Sequence, residues 1–147
     1  MPMLRMAMYS KGRSIYCAPT ADDRETWLPT VRHIALEGRC FVLTACQVLR
    51  LRDYPRDYRC SISNDPEALI IRGGSAIVDP LGKVLAGPAF NEEALLTAEL
   101  DLDALARAKL DFDAVGHYAR PDVFTLTVNE SAQHAVTWKA AKVDRPE

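Results

Sequence analysis

The side chains in this sequence that could do chemistry are four cysteines, three histidines and the acids and bases near them. A cysteine attacks as its thiolate and needs a neighbour that lowers its pKa. Cys17, Cys40, Cys46 and Cys60 include no C-x-x-C pair, and three of them sit in apolar, strand-like surroundings. Buried, reduced thiols in a cytoplasmic protein are the expected reading. His33 and Glu37 stand four residues apart, so one helix face could present both to zinc. A third ligand at recognisable spacing is missing, and a structural hydrogen-bonded pair is expected instead. His117, in G-H-Y-A-R-P-D, reads as an anchor of a tight link beside Tyr118, Arg120 and Asp122. No catalytic residue and no metal ligand is assigned.

The elements that position these groups follow from apolar spacing. Residues 2–10 have helix-forming composition, and Gly12 ends that element. Ser14 to Ala18 predicts a short buried strand, left by Pro19-Thr20-Ala21. Val31, Ile34 and Ala35 fall at i, i+3 and i+4, with Trp27 one turn earlier, which predicts an amphipathic helix. Asp22 and Glu25 have capping-box spacing and Thr26 is a second candidate cap. Pro29 decides for Thr26, because a proline in a helix interior costs about 3 kcal/mol. The helix therefore spans about 26–37, with Gly38 placed where a positive φ is required. Cys40 to Ala45 is an apolar run of the kind buried on both faces of a sheet.

Further on, Leu49 to Pro66 holds four arginines and two prolines and predicts a long binding or assembly loop. Leu69 to Ile71 starts a strand that Gly73-Gly74 is expected to break. Ser75 to Asp79 and Lys83 to Ala86 flank Pro80-Leu81-Gly82 as a β-hairpin. Ala94 to Leu100 reads as another strand. Asp101 can cap a helix from Leu102 to about Leu110, with Leu102, Leu105, Ala106 and Lys109 on one side. An ordered link follows, then an extended Val123 to Val128. From Ser131 the pattern is weak.

Composition sets bounds. At 147 residues, 48% apolar and 26% charged, one α/β domain with a mixed sheet is expected. A net charge of −2 gives no electrostatic reason to expect nucleic acid or an anionic membrane as a partner. No apolar run of the length needed to span a bilayer occurs, and M-P-M-L-R-M-A-M-Y makes a poor signal peptide.

Several blocks together carry a resemblance. They are M-P-M-L-R-M-A-M-Y-S-K-G, I-Y-C-A-P-T-A-D-D-R-E-T-W, R-H-I-A-L-E-G-R-C-F-V-L-T-A-C-Q, G-G-S-A-I-V-D-P-L-G-K-V-L-A-G-P and D-L-D-A-L-A-R-A-K-L-D-F-D-A-V-G-H-Y-A-R-P-D-V. In order and spacing they resemble the C-terminal half of a nitrilase of the carbon–nitrogen hydrolase superfamily. The resemblance covers about residues 1–129 and leaves 130–147 as a tail, flexible or docked on another subunit. It implies an α-β-β-α sandwich, incomplete in this chain alone. It also implies cofactor-free hydrolysis of a nitrile to carboxylic acid and ammonia through a cysteine thioimidate, with a lysine and a glutamate assisting. In the family the nucleophile lies in C-W-E-N-Y-M-P, whose end Met1-Pro2 would match, so the Glu–Lys–Cys set is expected to be absent here. The chain is then expected to be inactive alone. Its contribution would be a pocket wall, with Pro19, Thr20 and Ala21 facing substrate and Gln47 beside them. The resemblance further implies homo-oligomers paired through helices 2–10 and 26–37. The alternative is a non-catalytic assembly or binding partner built from half of the fold.

Overall fold

The computed structural model describes residues 1–138. Its elements run α1 (Pro2–Tyr9), β1 (Ile15–Cys17), α2 (Trp27–Gly38), β2 (Phe41–Thr44), β3 (Val48–Arg50), β4 (Leu69–Val78), β5 (Val84–Phe90) and α3 (Asp103–Lys109). The strands form one five-stranded mixed sheet in the order β1-β2-β4-β3, with β5 also paired to β4. β1 and β2 are parallel, with Tyr16 opposite Val42, and α2 makes the crossover between them. All other pairs are antiparallel.

Hydrophobic spacing explains how α2 seats. Val31, Ile34 and Ala35 are its buried residues, and they meet Tyr9, Ala18, Cys40, Val42 and Val78 in one core. Each large aliphatic side chain buried there contributes about 1.5–3 kcal/mol. The polar groups in this core are satisfied: the Trp27 indole donates to the Thr44 hydroxyl at 2.9 Å, which donates onward to the Ala18 carbonyl at 2.9 Å.

α1 is clasped to α2. Arg5 Nε donates to Glu37 Oε2 at 2.7 Å, and the Tyr9 hydroxyl donates to the same oxygen at 2.9 Å. Burial pushes the Glu37 carboxyl up, but the hydrogen bonds from Arg5 and Tyr9 outweigh it and hold Glu37 below its ordinary 4.5. A carboxylate with a depressed folded-state pKa contributes stability above its unfolded value that is lost as pH falls through the folded one. Urea midpoints measured at neutral pH and at about pH 3.5 are therefore expected to differ, and Glu37→Gln to remove part of that difference. An unchanged difference in the variant would mean that other carboxylates set the acid limit.

The structure corrects several expectations. Gly38 is the last residue of α2, and the left-handed residue is Arg39 (φ 47°, ψ 52°). The β1 segment is not buried: Ile15 is 42% exposed and Cys17 is exposed, because β1 is an edge strand paired only with β2 and its outer face is uncovered. Residues 48–50 are a strand rather than the start of a loop, held by the β4 ladder. Gly73 and Gly74 do not break β4; they take φ of 88° and 107° inside a continuous strand with shifted register. Ala94 to Leu100 joins no ladder, and Leu95 is 91% exposed. α3 begins at Asp103, capped by the Asp101 carboxylate accepting from the Asp103 amide at 3.0 Å. It buries Ala108 and half-buries Ala104, Leu105 and Lys109, leaving Leu102 and Ala106 exposed. The helix is rotated from its expected face. The hairpin forms as expected, with the Asp79 carboxylate accepting the Leu81 and Lys83 amides at 2.9 Å. The expected tail falls partly on residues 139–147, which lie outside the described residues.

Candidate functional site

Parallel pairing puts the ends of β1 and β2 side by side. The chain leaving β1 stays in register for one more step: the Thr20 amide donates to the Ala45 carbonyl at 2.9 Å, and Thr20 bridges to Cys46. Pro19-Thr20-Ala21 and Cys46-Gln47 thereby share one edge of the sheet. The Thr20 hydroxyl accepts the Asp22 amide at 3.0 Å, which bends the loop back. The loop is tied down at two further points. Arg24 forks onto Asp22, with Nε to Oδ1 at 2.8 Å, and the hydrogen bond from Arg24 holds the Asp22 carboxyl down at about 2. Asp23 Oδ2 accepts the Arg72 amide at 2.9 Å, and Arg72 Nη2 donates to the Asp23 carbonyl at 2.9 Å. The Arg72 guanidinium lies 5.3 Å from the centre of the Phe90 ring, so the loop is fastened to β4 and β5 as well.

Two cavities open at this edge. One, of about 410 Å³, is lined by Cys17, Pro19, Leu43, Ala45, Ile77 and neighbours and is mostly apolar. The other, of about 200 Å³, is lined by Gln47, Val48, Ala89, Glu92, Glu93 and neighbours. Ser75 and Ala94 line both. Pro19 and Gln47 thus line adjoining but separate cavities, while Thr20 and Ala21 shape the loop and line neither. Ser75 was not anticipated. Its hydroxyl accepts the Cys46 amide at 3.0 Å and donates to the Cys46 carbonyl at 3.2 Å, which fixes the end of β2. Glu92 and Glu93 were also missed; the Ser75–Ala89 register of the hairpin carries them there. No local pattern pointed to either: Ser75 reaches Cys46 through the β2–β4 register, and Glu92 and Glu93 lie beyond the expected hairpin.

Two of the four thiols, Cys46 and Cys40, are held away from the thiolate form. Burial, and then the charges of Asp23 and Asp22, push the Cys46 thiol up. Burial raises Cys40 to about 11. Cys17 is exposed. His33 Nε2 lies 3.7 Å from Glu37 Oε1, too far for the expected hydrogen bond, and Arg5 and Tyr9 already hold that carboxylate. Among the described residues no group of three or more His, Cys, Asp or Glu is arranged to hold a metal ion. His117 is exposed and packs edge-on against Tyr118, with ring centres 5.0 Å apart. Nearby, Arg120 forks onto Asp122 at 2.8 and 2.7 Å. No described helix is long and apolar enough to cross a membrane.

The family pattern of the carbon-nitrogen hydrolases matches residues 1–110 of this chain. The chain belongs to the carbon–nitrogen hydrolase family. Among proteins similar to this chain, nitrilase blr3397 of Bradyrhizobium diazoefficiens is 64% identical over 141 residues, covering 96% of this chain and 44% of the relative. The aliphatic nitrilase of Sinorhizobium fredii is 58% identical over 140 residues, covering 95% and 46%. Nitrilase 2 of Arabidopsis thaliana is 51% identical, covering 100% and 44%. The chain spans less than half the length of these relatives. Its fold is similar to that of the carbon-nitrogen hydrolase of Helicobacter pylori, with a TM-score of 0.62 at 19% identity over 83% of this chain and 43% of that one. The NitFhit protein of C. elegans gives a TM-score of 0.59 at 23% identity, over 92% of this chain and 30% of that one. The mixed sheet and its helices are part of the carbon–nitrogen hydrolase fold.

Proposed function

We propose that this chain is the C-terminal portion of a nitrilase and forms one wall of its substrate pocket. The observation that carries the reading is the 64% identity to a nitrilase across 96% of the chain. In the proposed reaction a cysteine thiolate adds to the nitrile carbon and gives a thioimidate. A lysine stabilises the developing charge, a glutamate moves protons, and water releases ammonia and then the carboxylic acid. None of those three groups is assigned to this chain, and the raised thiols of Cys40 and Cys46 do not replace the nucleophile. What it contributes is the edge at the ends of β1 and β2. Pro19 borders the substrate over the apolar floor made by Leu43, Ala45 and Ile77, Thr20 and Ala21 shape the loop that carries Pro19, and Gln47 lines the adjoining cavity. The exposed apolar side chains of α1, Met3, Leu4 and Met6, suit pairing with a second copy through α1 and α2.

The purified chain is expected to release no ammonia from an aliphatic or aromatic nitrile. Co-expression with a chain carrying C-W-E-N-Y-M-P and the upstream glutamate and lysine is expected to restore release. Ammonia formed by the chain alone, and lost on Cys17→Ala or Cys46→Ala, would overturn the reading. A second reading, a non-catalytic assembly partner, is favoured by the uncovered outer face at Ile15, Cys17, Ala45 and Leu95. It requires an oligomer, so a monodisperse monomer in size-exclusion chromatography, with a sharp unfolding transition, counts against it.

A further inference from the structure

We propose that the 51–66 loop is a binding site for a small anion bearing a planar ring. The site lies apart from the edge described above and stands or falls independently of the nitrilase reading. The loop is closed at its neck. Leu51 donates its amide to the Ala68 carbonyl, and Arg52 to the Pro66 carbonyl, both at 3.0 Å. A 3-10 turn over Leu51–Asp53 and a turn from Pro55 to Tyr58 shape its wall. These turns stack Tyr54 on Tyr58 with ring centres 4.8 Å apart and planes 18° from parallel. The open concavity they border has a volume of about 770 Å³, within the ordinary range of small-molecule pockets.

The lining chemistry names the ligand. Arg52, Arg56 and Arg59 all line the space, and no carboxylate does. Arg52 is shared with Glu67, at 2.5 Å, and more loosely with Asp53, at 3.9 Å. Arg56 and Arg59 make no ion pair and no side-chain hydrogen bond among the described residues, although Asp57 and Asp65 lie in the same loop. The Asp65 carboxylate is instead spent on the Glu67 amide at 2.9 Å. Two unengaged guanidinium forks in a concavity match a carboxylate or phosphate, which each fork can bind through two parallel hydrogen bonds. Tyr58, half exposed beside its stacked partner, offers a face for a ring, and Ser63 and Asn64 add polar contacts.

Calorimetry on the full chain tests this with four probes: AMP and benzoate, which carry ring and anion, adenosine, which carries the ring without charge, and inorganic phosphate. Binding of AMP or benzoate is expected with a Kd below about 1 mM, at least tenfold tighter than adenosine or phosphate. Whichever binds identifies the anionic group as phosphate or carboxylate. Arg56→Gln/Arg59→Gln is expected to weaken binding at least tenfold, and Tyr58→Ala severalfold; all three residues are exposed, so the fold survives both changes. The proposal is overturned if neither AMP nor benzoate binds, if adenosine or phosphate binds as tightly, or if the arginine variant binds as the parent does.

Discussion

Gly38→Ala is expected to destabilise the chain by about 2 kcal/mol, although alanine is the better helix former by about 1 kcal/mol. Gly38 closes α2 with helical geometry, so backbone freedom is not what the position requires. Room is. A Cβ there would meet Cδ1 and Cζ of the Tyr9 ring at 2.8 Å. Tyr9 is only 5% exposed, and its hydroxyl is held by the Glu37 carboxylate, so the ring has no free direction in which to retreat. The collision must separate α1 from α2 or break that hydrogen bond. Urea denaturation measures the loss. Tyr9→Leu, which shortens the obstructing side chain, should make Gly38→Ala much less costly in the double variant than alone. A stabilising Gly38→Ala would mean that α1 does not seat against α2 in this way.

Glycine at position 38 shows what could and could not be read from the residues alone. The α2 face was legible because Val31, Ile34 and Ala35 repeat at helical spacing and nothing competes with that pattern. The hairpin was legible because Asp79, Pro80 and Gly82 are local turn chemistry. A glycine after a helix suggests a left-handed cap by composition, yet its reason here is a contact with a residue 29 positions earlier, which no local pattern carries (38 − 9 = 29). β3 was hidden for the same cause. Val48-Leu49-Arg50 is too short to declare itself, and its extended form comes from pairing with β4. Ala94 to Leu100 is the converse case: strand-like composition in a segment that pairs with no strand among the described residues. At the site, the neighbouring ends of β1 and β2 could be placed from the pattern, because a parallel crossover delivers consecutive strand termini to one edge. Ser75 could not, since its hold on Cys46 depends on the register between β2 and β4.

Arg39→Ala is expected to cost about 2–3 kcal/mol and to loosen the 110–122 link, while Arg39→Gly costs about 1 kcal/mol less. Two opposing effects meet at this residue. Its left-handed backbone costs about 1 kcal/mol in any side-chain-bearing residue, and glycine alone relieves it. The amides of Arg39 and Cys40 both close on the Ala35 carbonyl, the latter at 3.4 Å, so the cap needs that conformation whatever the side chain. The side chain then repays the strain. Arg39 is 8% exposed. Its Nε donates to the Phe112 carbonyl at 3.3 Å, Nη2 donates to Asp111 at 3.2 Å, and the guanidinium lies 5.3 Å from the Phe112 ring centre. Phe112 in turn packs on Tyr118 with ring centres 4.9 Å apart. One arginine therefore ties the end of α2 to the segment after α3. Alanine keeps the strain and loses the ties; glycine loses both. The order of stability should be parent, then Arg39→Gly, then Arg39→Ala, with faster proteolysis within 110–122 in both variants. If alanine proves the milder substitution, the left-handed cap is not at residue 39.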